Sequence, residues 1–305
     1  MSRPTPKPAW LRVRAPGGDA YHGLRATLRR FGVGTVCEQA RCPNVGECWR
    51  AGTATLMVLG DACTRACRFC AVASRERSGA LDAGEPARVA AAVAQLGLRH
   101  VVLTMVSRDD LSDGGAGHVA ATIRRLRAEQ PGLLVEALVG DFAGQLDAVD
   151  AVLEAGPDVF AHNVEVVREW TAALRDRRCG YERSLGVLDR AKRRAPEGLT
   201  KSSLMVGVGE SDEQVRRGLA DLRAVGVDIV TVGQYLQPTP RHHRVARYVP
   251  PQDFDRYRQA ADELGYGCAL CGPLVRSSYR AAEAFFAAGR AKQGRSSLAA
   301  RRRFG

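Results

Sequence analysis

Two groups of three cysteines constrain this chain more than any other feature. Cys37, Cys42 and Cys48 follow the spacing C-x4-C-x5-C, and Cys63, Cys67 and Cys70 follow C-x3-C-x2-C. Thiolates are soft ligands suited to iron–sulfur clusters, and a cubane of four irons takes four ligands. Three cysteines leave one iron open to something else, and an open iron is where chemistry can happen.

The remaining composition narrows the setting. With 305 residues, 45% of them hydrophobic, a single α/β domain with a full core is the simplest expectation. Nine cysteines and an opening MSRPTPKPAW without an apolar signal stretch argue for metal or redox use in a reducing compartment. Gln95, Arg99 and His100 interrupt the longest apolar run before it reaches the roughly 18 residues of a membrane span. A soluble, cytoplasmic protein with no membrane partner is expected. The net charge of +12 comes mainly from arginine, with lysine only at Lys7, Lys192, Lys201 and Lys292. That lopsidedness looks like codon usage more than a selected patch, so specific nucleic-acid binding is not expected; an acidic protein partner fits the charge equally well.

Along the chain, residues 1 to about 20 read as an extended Pro, Gly and Arg arm with Trp10 and Leu11 as its anchors. A short helix is expected over Tyr21 to Arg30, followed by the first cysteine group in a loop-like run, CEQARCPNVGECW. Strands are expected at Thr55 to Leu59, His100 to Val106, Leu133 to Val139, Asp158 to Asn163, Ser203 to Val208 and Asp228 to Tyr235. Helices are expected near Pro86 to Leu96, Gly117 to Glu129, Gly144 to Glu154, Tyr181 to Arg194 and Ser211 to Val225, where Ser211 and Gln214 match a capping box. Six strand-then-helix repeats predict a parallel sheet curled into a full or partial barrel, with its reactive loops at the carboxyl ends of the strands. A proline-punctuated loop, a helix over Gln252 to Leu264, an apolar segment over Tyr266 to Val275 and a poorly ordered basic tail complete the reading.

Cys63, Cys67 and Cys70 stand directly after the first expected strand, with Phe69 before the last cysteine. This arrangement resembles the signature of the radical S-adenosylmethionine superfamily. The resemblance implies a [4Fe-4S] cluster whose fourth iron is chelated by S-adenosylmethionine, which one electron cleaves to a 5'-deoxyadenosyl radical. A zinc site made from Cys67 and Cys70 with Cys268 and Cys271 is the formal alternative, but it strands Cys63 and separates the pairs widely.

The run CEQARCPNVGECW, followed by ATLMVLGDACTRACRFCAV, TMVSRDDLSDGGA, PDVFAHNVE, TKSSLMVGVGE, VGQYLQPTPRHH and GPLVRSSYR, closely resembles the lipoyl synthase family over almost the whole chain. The resemblance implies a partial (β/α)6 TIM-type barrel with N- and C-terminal extensions carrying an auxiliary iron–sulfur cluster. The segments are 1–52 for the arm and auxiliary-cluster region, 53–265 for the barrel, and 266–305 for the C-terminal extension. It also implies insertion of two sulfur atoms, at C6 and C8, into an octanoyl group on a lysine of a lipoyl carrier protein, an E2 lipoyl domain or a glycine cleavage H protein. Sulfur would come from the auxiliary [4Fe-4S] cluster, whose ligands map to Cys37, Cys42, Cys48 and Ser278. A serine oxygen is a harder, weaker partner for iron than a thiolate, which suits a cluster that must be dismantled. Ser277 is the alternative ligand, and a bland reading makes RSSYR a helix start capped by Ser277. A low-potential electron donor and a cluster-assembly or carrier protein are implied partners.

Other residues carry weaker signals. Asp113, Gly114 and Gly115 are candidates to offer backbone groups to the methionyl part of S-adenosylmethionine, and Asn163 and Glu165 to bind its ribose or position substrate. His242 and His243 read as a solvated turn, Arg276 as the partner of a carboxylate near the auxiliary cluster, and Cys179, Cys268 and Cys271 as ordinary small residues. Gly34, Gln39, Val166 and Arg244 depart from the family pattern of His or Asn, Glu, Thr and Pro. None is an expected cluster ligand, and together they leave room for a paralogue that thiolates another substrate.

Overall fold

The computed structural model describes residues 6–51 and 53–303, with side chains described as far as Gln293. The first five residues of the expected arm and the last two of the tail lie outside the described residues. After a 3-10 turn at Ala9–Leu11 come α1 (Asp19–Arg30), β1 (Gly34–Thr35), α2 (Val36–Gln39), α3 (Val45–Arg50) and β2 (Thr55–Val58). Two short strands follow, β3 (Ala62–Cys63) and β4 (Ala73–Ser74), then α4 (Glu85–Leu96), β5 (His100–Met105), α5 (Ala116–Glu129), β6 (Leu134–Leu138) and α6 (Leu146–Glu154). The chain continues through β7 (Val159–Ala161), α7 (Arg168–Leu174), α8 (Tyr181–Arg194), β8 (Leu199–Val206), α9 (Asp212–Ala224) and β9 (Ile229–Gln234). It ends with α10 (Pro251–Glu263), β10 (Cys268–Gly272) and α11 (Ala281–Arg303).

The main sheet runs β1-β2-β5-β6-β7-β8-β9-β10, with β1 antiparallel to β2 and every other pairing parallel. β1 and β10 are its two edges, so the barrel is partial. Parallel strands need helical crossovers, and alternation along each strand sends one set of side chains to those helices. On β8, Leu204 and Val206 pack with Val215, Leu219 and Leu222 of α9. On the opposite face Val159, Leu199 and Ile229 meet Ala284 and Ala288, so α11 lies along the concave side of the sheet. The helix signals act as expected: Pro86 sits in the first turn of α4, Gly97 ends it in the left-handed region, and Ser211 and Gln214 form both bonds of a capping box.

Four expectations are corrected. The first cysteine group is not a loop: Thr35 caps α2 by accepting the Glu38 amide at 3.3 Å, and Cys37 and Cys48 sit on α2 and α3. β8 begins at Leu199, four residues early, because the polar run Thr200 to Ser203 finds buried partners there. Lys201 Nζ meets both oxygens of Glu136 at 2.9 Å, and Thr200 Oγ1 donates to Gly226 O at 2.9 Å. The apolar segment near the C terminus supplies a seventh parallel strand, β10, paired with β9 from Cys268↔Ile229 to Gly272↔Gly233. In the arm, Leu11 is buried whereas Trp10 is 42% exposed, so only Leu11 anchors it. The backbone of the expected tail continues as α11 to Arg303.

Gly233, near the end of β9, is required by a close approach: a Cβ there would lie 2.0 Å from the Val275 carbonyl oxygen. Gly233→Ala is therefore expected to cost about 1–3 kcal/mol, read from the urea midpoint, by forcing the segment after β10 off the sheet. A second prediction concerns acid. His162 is buried, its Nδ1–H donates to Val139 O at 2.8 Å, and desolvation lowers its pKa from 6.5 to about 4. The unfolded chain binds more protons between those values. The stabilising contribution is complete above pH 6.5 and is lost as pH falls toward 4. Urea stability should drop by about 1–2 kcal/mol from this residue between pH 6.5 and 5, and His162→Gln should flatten that slope.

Candidate functional site

The second cysteine group lies at the carboxyl end of β2, where β3 pairs with β4 and closes the loop between them at its base. Three strand-end segments hold that loop from outside. Thr64 N–H donates to Ser107 O at 2.9 Å, Arg68 N–H donates to Leu174 O at 2.7 Å, and Arg68 O accepts from His243 N–H at 2.9 Å. The buried Arg65 guanidinium bonds Asp109 at 2.7 and 2.9 Å and Asp141 at 2.7 Å. Amides converge on the sulfurs: Cys63 Sγ accepts from Arg65 N–H at 3.4 Å and Ser107 N–H at 3.3 Å, and Cys67 Sγ accepts from Asp176 N–H at 3.3 Å. Burial pushes the Cys70 thiol up to about 11, and Cys67 is raised by its hydrogen bond to Cys179 and by burial.

The first cysteine group gathers beneath the arm. Tyr21 of α1 stacks on the buried Trp49 of α3 with centroids 4.8 Å apart, fixing the helix that carries Cys48. Arm residues Val13 to Pro16 border a groove of about 480 Å³ that is also lined by Cys37, Cys42 and Arg41. Burial raises the Cys42 thiol and, with the neighbouring thiols of Cys42 and Cys37, pushes Cys48 up to about 12. The far end of the chain closes on this group. Asn44 Nδ2 donates to Leu274 O at 2.6 Å, and Tyr279 Oη donates to Glu47 Oε1 at 3.0 Å. The turn that carries Ser277 and Ser278 is thereby brought to the first group and, through Gly233, to the carboxyl ends of the strands.

The weaker candidates fare differently. Asn163 Nδ2 donates to Glu165 Oε1 at 3.2 Å, while Asn163 Oδ1 is buried without a partner. Glu165 has a positive φ of 69°, which strains a residue with a Cβ. Burial raises its carboxyl, which acts electrostatically on Cys70. At the other candidate position, the amides expected to be offered are already engaged. Gly114 N–H donates to Leu111 O at 3.1 Å and Gly115 N–H to Asp113 Oδ1 at 2.8 Å. These glycines serve close packing instead, since a Cβ on Gly115 would lie 2.5 Å from Leu59 Cδ1.

Several bland readings are overturned. His242 and His243 are not a solvated turn. His242 Nε2 donates to Cys70 O at 2.9 Å while its Nδ1 meets Thr239 Oγ1 at 2.8 Å, and His243 Nε2 donates to Val208 O at 3.0 Å. Carbonyl oxygens only accept, so both rings carry the proton on Nε2. Arg276 meets the Cys42 thiol rather than a carboxylate, and burial lowers its pKa. Cys179 is no ordinary small residue, because it touches Cys67 and Arg65. Cys268 and Cys271 remain apart: strand alternation sends one toward Val159 and Ile229 and the other toward the α9 side, so they cannot chelate as a pair. Gly34 and Gln39 both line a cavity of about 320 Å³ with Met57 and Leu59, and Val166 is packed with Leu174 and Tyr235. Sequence reasoning missed Arg65 and Asp176. Arg65 lies inside the cysteine motif and was legible there; Asp176 carries no local signal.

The second group fits a cluster with an open position. Three thiols share a clamped loop, amides are aimed at two of them, and the unsatisfied Asn163 oxygen stands ready for a hydroxyl donor near Cys70. Comparisons agree with this chemistry. The model of the radical SAM superfamily matches residues 57–222. A lipoyl synthase of Sorangium cellulosum is 58% identical over 299 residues, covering 93% of this chain and 80% of the relative. One from Thermus thermophilus is 55% identical over 292 residues, covering 94% and 90%, and the chloroplastic lipoyl synthase of Arabidopsis thaliana is 49% identical, covering 92% and 72%. Among solved structures, the [FeFe]-hydrogenase maturase HydG superposes with a TM-score of 0.55 at 14% identity over 77% of this chain and 54% of its own, a likeness of fold.

The histidine contact yields a test. His242→Ala removes the bond to the Cys70 carbonyl, worth about 1 kcal/mol. Amide hydrogen exchange across residues 67–71 should accelerate roughly fivefold; an unchanged rate would remove His242 from the support of the loop.

Proposed function

The chain belongs to the lipoyl synthase family of the radical SAM superfamily, and on that premise we infer that it inserts sulfur at C6 and C8 of an octanoyl group carried on a lysine of a lipoyl carrier domain. The observation that supports this most is the meeting of both cysteine groups at one end of the sheet, the first reached by the Leu274 to Tyr279 turn. When bound, S-adenosylmethionine on a [4Fe-4S] cluster supplies a 5'-deoxyadenosyl radical, and an auxiliary [4Fe-4S] cluster supplies the sulfur.

The chain's own residues take the following parts in this reading. Cys63, Cys67 and Cys70 hold the cluster that binds S-adenosylmethionine, and the Arg65, Ser107 and Asp176 amides offset charge on their sulfurs. Asn163 accepts from a cofactor hydroxyl through its unsatisfied oxygen, and Glu165 holds its amide in that orientation. Gly114 and Gly115 let their loop pack against Phe142 and Leu59, and thus shape the pocket wall rather than bond the cofactor. Cys37, Cys42, Cys48 and Ser278 hold the auxiliary cluster, with Arg276 placing positive charge beside Cys42. The segment 1–52 and the C-terminal extension from residue 266 would form one cover over the barrel of residues 53–265.

The partners in this reading are an octanoylated E2 lipoyl domain or glycine cleavage H protein, a low-potential electron donor and a protein that rebuilds the auxiliary cluster. Among the described residues no helix is long and apolar enough to cross a membrane. A cytoplasmic setting fits the bacterial relatives; the Arabidopsis relative is named chloroplastic.

The deciding experiment mixes anaerobically reconstituted protein, a strong reductant, S-adenosylmethionine and an octanoyl-lysine peptide, and follows 5'-deoxyadenosine and peptide mass. Formation of 5'-deoxyadenosine with no sulfur added would point to a paralogue with another substrate. Cys37→Ala should still cleave S-adenosylmethionine while sulfur insertion disappears, and Cys67→Ala should stop cleavage itself. Sulfur insertion that survives Cys37→Ala would remove the auxiliary role from the first group.

A further inference from the structure

Cys179 belongs to no motif, yet its thiol lies in hydrogen-bond contact with Cys67 Sγ. The turn after α7 fixes it there. Cys179 N–H donates to Asp176 O at 2.8 Å, and Asp176 N–H donates to Cys67 Sγ at 3.3 Å, so one turn delivers both an amide and a thiol to the same sulfur. From the other side Arg65 Nη1 donates to Cys179 Sγ at 3.4 Å, and Arg65 is itself locked between Asp109 and Asp141. Arg178, beside Cys179, bonds the Thr64 carbonyl of the cysteine loop and the Asp176 carboxylate. The thiol is therefore held in place through both its backbone and its side chain.

We propose that Cys179 is a positioning residue that donates its S–H to the Cys67 thiolate of the bound cluster and thereby raises the potential at which that cluster takes up its electron. The proposal rests on the reading of Cys63, Cys67 and Cys70 as ligands of the cluster that binds S-adenosylmethionine. Cys67 gives up its proton when it binds iron. Cys179 keeps its own, because two thiolates in contact repel, and the shared hydrogen bond then points from Cys179 to Cys67. Reduction adds negative charge to the cluster and its sulfurs, so a donor aimed at one sulfur favours the reduced state. The sulfurs are unequally served: Cys63 accepts two amides, whereas Cys67 accepts one amide and this thiol.

The test uses the full-length holoprotein with both clusters, as wild type, Cys179→Ala and Cys179→Ser. Each is poised with mediators and followed by the reduced-cluster EPR signal that S-adenosylmethionine perturbs, which distinguishes this cluster from the auxiliary one. Cys179→Ala should move the midpoint negative by the equivalent of about a tenfold loss in the reduction equilibrium, ~59 mV for one electron. Cys179→Ser keeps a donor and should stay within about twofold of wild type, and both variants should retain wild-type iron content and urea midpoint. An unshifted Cys179→Ala midpoint overturns the proposal while the cluster assignment stands. Loss of the signal in a folded Cys179→Ala also overturns it, by making Cys179 an iron ligand. Absence of any S-adenosylmethionine-sensitive signal in the wild type sinks the parent assignment itself.

Discussion

A single buried guanidinium ties the site to the fold. Arg65 stands within the cysteine loop, and its charge is balanced by Asp109 after β5 and Asp141 after β6. A buried cation without partners costs several kcal/mol, so this loop is stable only when both strand ends are in place around it. The same side chain supports Cys179, and its own amide supports Cys63. Cluster loop and barrel are consequently one cooperative unit: the geometry of the sulfurs is inherited from the register of the sheet.

Strain gathers at the same end of the molecule. The residues other than glycine with positive φ include Leu59 after β2, Phe142 and Ala143 after β6, and Glu165 after β7. Two more, Arg41 and Arg280, flank the first cysteine group and the serine turn. Such conformations cost on the order of 1–3 kcal/mol each and persist only where surrounding packing over-determines them. Here the packing is the well-formed helical outer layer, with residues such as Val89, Val93 and Ile123 fully buried against the sheet. Polar interior groups add to the cost, and the Glu136–Lys201 pair satisfies its own charges far from solvent.

Much of this was legible in the sequence, for identifiable reasons. Helices announced themselves through period and caps, as Ser211 and Gln214 show, and β-branched runs marked β5 and β9. β8 was placed late because Lys201 and its neighbours are polar, and only the partner Glu136, on another strand, makes them buried. The first cysteine group looked like a loop because Pro43 and Gly46 break long helices, yet they permit the two short ones that form. The cluster-binding spacing was readable because it is local. The support around it was not: Asp176, His242 and Cys179 reach the loop through tertiary contacts that no local pattern encodes. The spacing of Gly114 and Gly115 suggested ligand binding, while their amides are satisfied within their own turn.

The turn with Ser278 lies between β10 and α11, near the end of the chain, and it leans on Gly233 and Asn44. Synthesis from the N terminus therefore produces the first cysteine group long before its covering turn. During translation Cys37, Cys42 and Cys48 are exposed while the barrel is still being made, and the late arrival of the last strand and helix closes the compartment. The order of the residues thus sets an order of maturation: metal loading at the first group has its widest access before the C terminus docks.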